Sequence, residues 1–292
     1  MKGKATTVRT SLGWLALWLG LLGLLAAPAL NTHADDDDRH GSLSPGLASL
    51  GYGALAVGVP LDNVEGTDSA GAVNVLYSSM AGLDFADNQL WHQDSFDIGG
   101  AAEFNDRFGW ALATGDFDGD GYNDLAVGVP QEGLDVAMAG AVNVLYGRDT
   151  GLSAVNSQLW HQESPGILGG AEEYDQFGWA LAAGDFDGDG YSDLAVGVPG
   201  EKEEGEISGA GAVNVLYGSA AGLSAIDNQL WDQDSAGMVD PREQGDGFGI
   251  ALAAGDWNGD GYSDLAVGVS GEDVGAVSDA GAVHILYGSG AG

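Results

Sequence analysis

Hydrophobic residues in this chain of 292 residues come in short runs separated by glycine, aspartate and serine. In residues 88–147 four runs follow one another: "QLWHQ", "FGWALATGDF", "DLAVGVP" and "GAVNVLYG". The last run places Val142 and Val144 on one face and Asn143 on the other, a period of two that is typical of a β-strand. After residue 34 no stretch keeps a helical period over twelve residues. The pattern therefore predicts an all-β fold of short antiparallel strands.

The runs recur with a period of about seventy residues. The residue before each "LAVGV" is Ala54, Asp124, Asp193 or Asp264, at intervals of 70, 69 and 71 residues. A Phe-Gly pair keeps the same spacing, starting at 108, 177 and 248. Four antiparallel strands per unit, repeated radially, predict a β-propeller with four-stranded antiparallel blades. A β-solenoid is the alternative, although its repeats are usually shorter.

An acidic phrase of nine residues precedes three of the four "LAVGV" runs: "DFDGDGYND", "DFDGDGYSD" and "DWNGDGYSD". Glycines at positions 4 and 6 let the backbone curl, so that side chains 1, 3, 5 and 9 converge with the carbonyl of position 7. About six to eight convergent oxygens suit Ca²⁺, whereas Mg²⁺ keeps more of its waters. The predicted ligands of about three Ca²⁺ sites are Asp116, Asp118, Asp120, Tyr122 and Asp124; Asp185, Asp187, Asp189, Tyr191 and Asp193; and Asp256, Asn258, Asp260, Tyr262 and Asp264.

These loops have two alternative interpretations, an EF-hand and a turn without metal. An EF-hand needs a glutamate at position 12 and flanking helices, but position 12 is Val127, Val196 or Val267 and the flanks resemble strands. A turn rich in aspartate without metal is the second alternative. Clustered carboxylates without a cation would have to take up protons or move apart. Because Asn258 keeps an oxygen but removes a charge, the third site is predicted to be the weakest.

The Phe-Gly pair, the acidic loop and the following Gly-x-Pro resemble FG-GAP repeats, which occur in the N-terminal propeller of integrin α subunits. The resemblance covers residues 46–292 and implies Ca²⁺ in the loops and a non-catalytic, extracellular interaction role. Two departures stand out. Val59, Val129 and Val198 replace the alanine of Gly-Ala-Pro, and the last copy ends in Ser270. Integrin propellers also have seven blades, and this chain shows fewer.

The first copy of the repeat lacks the acids: Gly46, Ala48, Leu50 and Ala54 stand where the later copies have carboxylates. The sequence thus predicts about three and a half blades of an incomplete propeller. The predicted boundaries are a partial blade at 46–78 and blades at 88–147, 157–218 and 228–288. A fragment of a longer propeller and an open or oligomeric arc are both compatible with this pattern.

The N-terminal segment differs from the repeats. Residues 1–34 have a basic start, an apolar stretch to Leu30 and small residues at 27–29, which predicts a signal peptide. An uncleaved membrane anchor is the alternative and would give the only membrane contact. Both place the remainder outside the cytoplasm, secreted or at the cell surface. An acidic N-terminal segment follows at 35–45.

Charge narrows the range of partners. All 44 acidic residues follow residue 34, and the formal net charge is −36. Such a chain repels nucleic acid and attracts cations, although high charge also serves solubility or adaptation to salt. There is no cysteine, so disulfides and thiolate metal sites are excluded.

The remaining candidate residues also recur in register. Trp91, Trp160 and Trp231 are predicted to pack between blades, with a carbohydrate-stacking platform as the alternative. His92 and His161 share a repeat position, and no serine or cysteine nucleophile has a recognisable context, so no catalysis is expected.

The sequence therefore favours an adhesion or interaction module with an extracellular protein or glycan as partner. The alternatives are the propeller portion of a larger extracellular enzyme, since some phospholipases carry FG-GAP repeats, and a glycan-binding surface.

Overall fold

The computed structural model describes residues 54–79, 82–134, 136–202, 208–239 and 241–292. The predicted signal peptide, the acidic segment 35–45 and the acid-free loop at 46–53 lie outside the described residues. No helix in the described part of the chain is long and apolar enough to span a bilayer.

The described residues form fourteen strands in four antiparallel sheets, each built from strands that are consecutive in the chain. Sheet 1 contains β1 (Ala54–Val59), β2 (Ala72–Ser79) and β3 (Gly82–Trp91). Sheet 2 contains β4 (Leu112–Gly115), β5 (Asp124–Val129), β6 (Ala141–Tyr146) and β7 (Ser153–Trp160). Sheet 3 contains β8 (Ala180–Gly184), β9 (Asp193–Val198), β10 (Ala212–Tyr217) and β11 (Ser224–Trp231). Sheet 4 contains β12 (Phe248–Gly255), β13 (Asp264–Val269) and β14 (Ala282–Leu286). The predicted all-β fold is confirmed, and the sheets correspond to blades of a partial β-propeller.

The sheets are offset from the predicted repeat boundaries. Four strands per sheet occur in sheets 2 and 3, while sheets 1 and 4 have three described strands. The "QLW" run closes the sheet before it, since Trp160 pairs with Val142 of β6 and Trp231 pairs with Val213 of β10. The predicted blades opened on that run instead. The reason is chain length: residues 147–152 make a short antiparallel connection from β6 to β7, whereas 161–179 are long enough to reach the next sheet.

Hydrophobic cores lie between consecutive sheets. The core between sheets 2 and 3 joins Val142 and Val144 of β6 to Leu194 and Val196 of β9, and all four side chains are fully buried. Equivalent cores join sheet 1 to sheet 2 and sheet 3 to sheet 4. Because sheets cover β5 and β9 on both faces, every residue of these two strands is buried. This explains why the "LAVGV" part of these strands is apolar throughout rather than alternating.

The Phe-Gly pairs fix how closely the sheets approach. Phe177 is fully buried, and its N–H donates to the carbonyl oxygen of Ala139 at 2.7 Å. The carbonyl oxygen of Gly178 lies so close to Gly128 of β5 that a Cβ added there would overlap it. Trp91, Trp160 and Trp231 pack against the three cores, as predicted. The spacing between sheets therefore depends on glycine at this contact.

Candidate metal centres

Each acidic phrase forms a loop between two adjacent strands of one sheet. Residues 116–123 connect β4 to β5, residues 185–192 connect β8 to β9, and residues 256–263 connect β12 to β13. The glycines at positions 4 and 6 have left-handed backbone conformations in all three loops, for example φ +70° at Gly119 and +89° at Gly121. The strand–loop–strand context agrees with the interpretation that these loops are not EF-hands.

The first two loops bring three carboxylates together. Oxygens of Asp116, Asp118 and Asp124 lie within 4.8 Å of one another. Asp185, Asp187 and Asp193 form the same triad in the second loop. Converging carboxylates of this kind are the ligands that hard divalent cations prefer. Positions 1, 3 and 9 of each loop therefore fit a cation.

The aspartate at position 9 also holds the sheet together. Asp124 is fully buried; its Oδ2 accepts from the N–H of Phe117 at 2.7 Å and its Oδ1 from the N–H of Gly147 at 2.8 Å. Asp193 accepts from Phe186 and Gly218 at 2.7 and 2.9 Å. One carboxylate thus joins the loop to the end of the third strand, a role that the ligand pattern did not predict.

The third loop keeps this framework with one charge fewer. Asp264 is fully buried and accepts from the N–H groups of Trp257 and Gly288 at 2.9 and 3.1 Å. Asp256 accepts from the N–H groups of Gly259 and Gly261 at 2.6 and 3.1 Å. The loop therefore has the same backbone frame, and Asn258 is the difference at position 3.

Position 5 has a different environment from the triad. Asp120 Oδ1 accepts from the N–H of Tyr122 at 3.0 Å, and Asp189 accepts from Tyr191 at 2.9 Å. Asp260 makes the same contact with Tyr262 at 3.0 Å. These bonds stabilise the turn, and the carboxylates of Asp120 and Asp189 are not among those that lie within 4.8 Å of one another.

Two tyrosines at position 7, Tyr191 and Tyr262, lie against the preceding loop. The ring of Tyr191 packs on Gly119, and the ring of Tyr262 packs on Gly188, with no room for a Cβ at either glycine. Neighbouring loops are thus in direct contact, which the sequence did not reveal.

The first loop also contacts a cationic side chain. Arg148 Nη1 donates to Asp120 Oδ2 at 2.7 Å and to Asp118 Oδ2 at 3.2 Å. Ser219 and Ser289 occupy the same place after the third strands of the next two sheets. The protein therefore partly neutralises its first loop with its own guanidinium.

Burial changes the electrostatics of the triads. It raises the pKa of Asp124 and Asp193 to about 7; backbone N–H donors oppose the rise, and the other two aspartates of each triad add to it. Burial likewise raises the pKa of Asp118 and Asp187. Without a cation Asp124 and Asp193 are partly protonated near neutral pH, because their charged forms are desolvated and are repelled by neighbouring carboxylates.

A second kind of acidic cluster was not predicted from the sequence. Glu103, Asp106 and Glu132 have carboxylate oxygens within 4.8 Å of one another, and Glu172, Asp175 and Glu201 form an equivalent cluster. The members come from separate segments, so no compact motif marks them. The available signal was periodic: a glutamate two residues after the "GVP" or "GVS" end of the last three copies, and an aspartate two residues before each Phe-Gly.

The strands and loops define a partial β-propeller of repeats with acidic loops between strands. Residues 108–145, 177–216 and 248–286 match the model of the FG-GAP repeat. The chain therefore contains three FG-GAP repeats, and the matched segments cover the first three strands of sheets 2, 3 and 4.

Two kinds of known protein are similar to this chain. The chain is 37% identical to the phosphatidylinositol-glycan-specific phospholipase D of Bos taurus over 164 residues, which are 56% of this chain and 18% of that protein. It is 35% identical to integrin alpha-PS2 of Drosophila melanogaster over 181 residues, 59% of this chain and 12% of the integrin. Integrin alpha-5 of Xenopus laevis is 34% identical over 172 residues, 57% and 15% of the two chains. The resemblance to integrin α subunits is confirmed, and the chain spans less than a fifth of these relatives.

Proposed function

We propose that this chain is a Ca²⁺-stabilised, non-catalytic adhesion or interaction module of an extracellular protein. The observation that carries the proposal is the repeated triad, Asp116–Asp118–Asp124 and Asp185–Asp187–Asp193, whose oxygens converge within 4.8 Å. An all-oxygen, strongly anionic ligand set suits Ca²⁺. A bound ion would offset the desolvation and the repulsion that raise the pKa values of Asp118, Asp124, Asp187 and Asp193.

The ligand roles follow the register of the loop. Positions 1, 3 and 9 would supply the close carboxylates, position 5 a further carboxylate and position 7 the predicted carbonyl. Position 9 would then connect the ion to the loop entrance and the third strand. In the third loop Asn258 replaces a carboxylate, so that site would have the lowest affinity. The ions would stabilise each sheet rather than take part in a reaction.

Thermal unfolding with and without Ca²⁺ tests this proposal. Ca²⁺ at ten times its Kd would stabilise the protein by roughly 1.4 kcal/mol for each site. Extracellular modules often bind Ca²⁺ with Kd about 10⁻⁴–10⁻³ M, so the titration should span that range. The Asp187→Asn variant should show a smaller rise in Tm than the unchanged protein. A Tm that does not respond to millimolar Ca²⁺ would contradict the proposal.

Several features support an extracellular, non-catalytic role. Residues 1–34 have the pattern of a signal peptide, and the net charge of −36 disfavours nucleic acid as a partner. The tryptophans that offered a glycan platform pack against the cores instead. An extracellular protein or glycan is therefore the proposed partner, bound through loops at the rim of the sheets.

The second candidate is the propeller portion of a larger extracellular enzyme. The 37% identity to a phosphatidylinositol-glycan-specific phospholipase D favours it. Incubating the purified chain with a glycosylphosphatidylinositol-anchored reporter on vesicles tests whether the chain is itself catalytic. We expect no release of the reporter by this chain, with or without Ca²⁺. Release by the purified chain would overturn the non-catalytic assignment.

A further inference from the structure

The second acidic clusters lie at the junctions between consecutive sheets. Glu201 follows β9 of sheet 3, while Glu172 and Asp175 belong to the connection from sheet 2 to sheet 3. Gln162, two residues after β7 of sheet 2, donates through Nε2 to Oε2 of Glu201. The cluster therefore collects side chains from two sheets and from the segment between them, unlike the acidic loops, which each belong to one sheet.

Buried oxygen atoms in this cluster lack hydrogen-bond partners. Gln162 is 3% exposed and Asp175 is fully buried. Among the described residues, neither Gln162 Oε1 nor Asp175 Oδ1 has a hydrogen-bond partner, and the same holds for Oε2 of Glu172. Buried polar atoms in folded proteins are nearly always paired with protein groups, water or ions. Protonation of one carboxyl lets Glu172 and Asp175 share a side-chain hydrogen bond. The amide oxygen of Gln162 has no such solution, so a buried unpaired oxygen beside three carboxylates points to an electropositive partner.

The same arrangement recurs one junction earlier. Gln93 is 2% exposed, donates to Glu132 and leaves its Oε1 without a partner in the described part of the chain. Glu132 and Asp106 are both 2% exposed. Gly100 lies against this group: a Cβ there would come within 2.8 Å of Gln93 Nε2 and 3.3 Å of Glu132 Oε2. The amide oxygen without a partner occurs at both Gln93 and Gln162, so it is a feature of the repeat rather than of one side-chain placement.

The electrostatics agree with the geometry. Burial, with the neighbouring carboxylates, raises the pKa of Glu132 to about 7 and that of Glu201 to about 8. Burial also raises the pKa of Asp175 to about 7.

We propose that the clusters Gln93–Glu103–Asp106–Glu132 and Gln162–Glu172–Asp175–Glu201 each bind a hard divalent cation, Ca²⁺ foremost, between neighbouring sheets. Three carboxylates and an amide oxygen supply only oxygen ligands, which suit Ca²⁺ or Mg²⁺ rather than softer metals. An ion here connects one sheet to the next, whereas an ion in an acidic loop connects strands within a sheet. This inference does not depend on ion binding by the acidic loops.

Isothermal titration of the full chain with Ca²⁺ tests the proposal, with a parallel titration with Mg²⁺. The Glu201→Gln variant should bind one ion fewer than the unchanged chain, and Asp187→Asn, which gives the second loop the asparagine that the third loop has at Asn258, should weaken one other site. Weaker binding by Asp187→Asn with no change in Glu201→Gln would support the loops alone and overturn the junction sites. A change in Glu201→Gln alone would support the junction site and count against the loop.

A milder pair of variants covers the case in which Glu201→Gln does not fold. Glu172 lies in the cluster, and the adjacent Glu173 is exposed and outside it. Glu172→Gln should weaken one Ca²⁺ equivalent by at least tenfold, while Glu173→Gln, with the same change of charge, should leave it unchanged. Equal binding by these two variants would overturn the proposal.

Discussion

The N–H of Ser192, in the second acidic loop, donates a 2.9 Å hydrogen bond to the carbonyl oxygen of Asp116 in the first. The Ser192 hydroxyl accepts from the N–H of Asp116 at 3.2 Å, so the start of one loop is fixed at two points by the next. Ser263 repeats the backbone bond to Asp185 at 2.8 Å. The acidic loops thus form a connected row across sheets 2, 3 and 4, and the conformation of each loop depends on its neighbour.

This contact predicts a difference between two glycine substitutions. Gly119 and Gly259 hold the same loop position, with φ +70° and +79°. A Cβ on Gly119 would overlap the ring of Tyr191, whereas a Cβ on Gly259 has no atom within 4 Å. Both alanine variants bear the strain of a left-handed backbone, but Gly119→Ala should lose about 1–3 kcal/mol more from overpacking. Urea unfolding in Ca²⁺ measures the difference, and equal losses would show that the loops are not packed on each other.

Two aspartates of the second loop should respond differently to removal of their charge. Asp193 is fully buried, and its two carboxylate oxygens accept hydrogen bonds from two backbone N–H groups. In Asp193→Asn an NH₂ group replaces one of these oxygens, so a donor faces a backbone N–H donor. We expect a loss of about 1–3 kcal/mol in EDTA, and a larger loss in Ca²⁺ because the variant also lacks one charged ligand.

Asp187 serves as the contrast. It accepts from the N–H of Asp189 at 3.0 Å and is repelled by the charges of Asp189 and Asp185. Asp187→Asn should therefore leave the Tm in EDTA unchanged or slightly higher, and should reduce only the rise on adding Ca²⁺. Calorimetry of both variants in the two buffers tests this, and an equal loss for Asp187→Asn in EDTA would contradict the separate roles.

Much of this architecture follows from local sequence, because each sheet is built from consecutive strands joined by short connections. The phrase "DLAVGV" predicts β5, β9 and β13, and the nine-residue loops place their acids on a recognisable register. The assignment of "QLW" to a blade depended on pairing across a connection, for example Trp160 with Val142, and no local pattern shows that pairing. The junction clusters were missed for the same reason: Gln162 and Glu201 are 39 residues apart and meet only when two sheets stack.

Arg148 should weaken Ca²⁺ binding by the first loop. Its guanidinium pairs with Asp118 and Asp120, and these contacts must weaken when an ion enters. Partly exposed ion pairs are worth about 0.2–1 kcal/mol, so Arg148→Ser should raise the affinity of this site up to roughly fivefold. Calorimetric titration measures the change.

Arg107→Ser is the matched control for that experiment. It changes the net charge equally, but Arg107 contacts the side chain of Asn105 and lies 5.3 Å from the ring centre of Trp110 rather than on an acidic loop. An equal rise in affinity for Arg107→Ser would mean that overall charge, not the contact with the loop, sets the affinity.

The stability of the ion-free protein should fall as the pH rises. The pKa values of Asp124, Asp193 and Glu132 are raised to about 7, and that of Glu201 to about 8, from ordinary values of 3.8 for aspartate and 4.5 for glutamate. Between about pH 4 and pH 8 the folded state therefore binds more protons than the unfolded state. The corresponding stabilisation is complete below about pH 4 and is lost as the pH passes through the folded-state values.

Melting curves from pH 5 to pH 8 check this expectation. In EDTA the Tm should fall across the range, while the rise on adding Ca²⁺ should grow, because the ion binds the deprotonated carboxylates. General repulsion in a chain of net charge −36 also lowers stability at high pH, so variants are needed to separate the two effects. Glu201→Gln removes one group with a raised pKa and should make the fall in EDTA shallower, whereas the exposed Glu173→Gln should not. A Tm in EDTA that is flat or rises from pH 5 to pH 8 would show that these buried carboxylates do not hold protons in the folded protein.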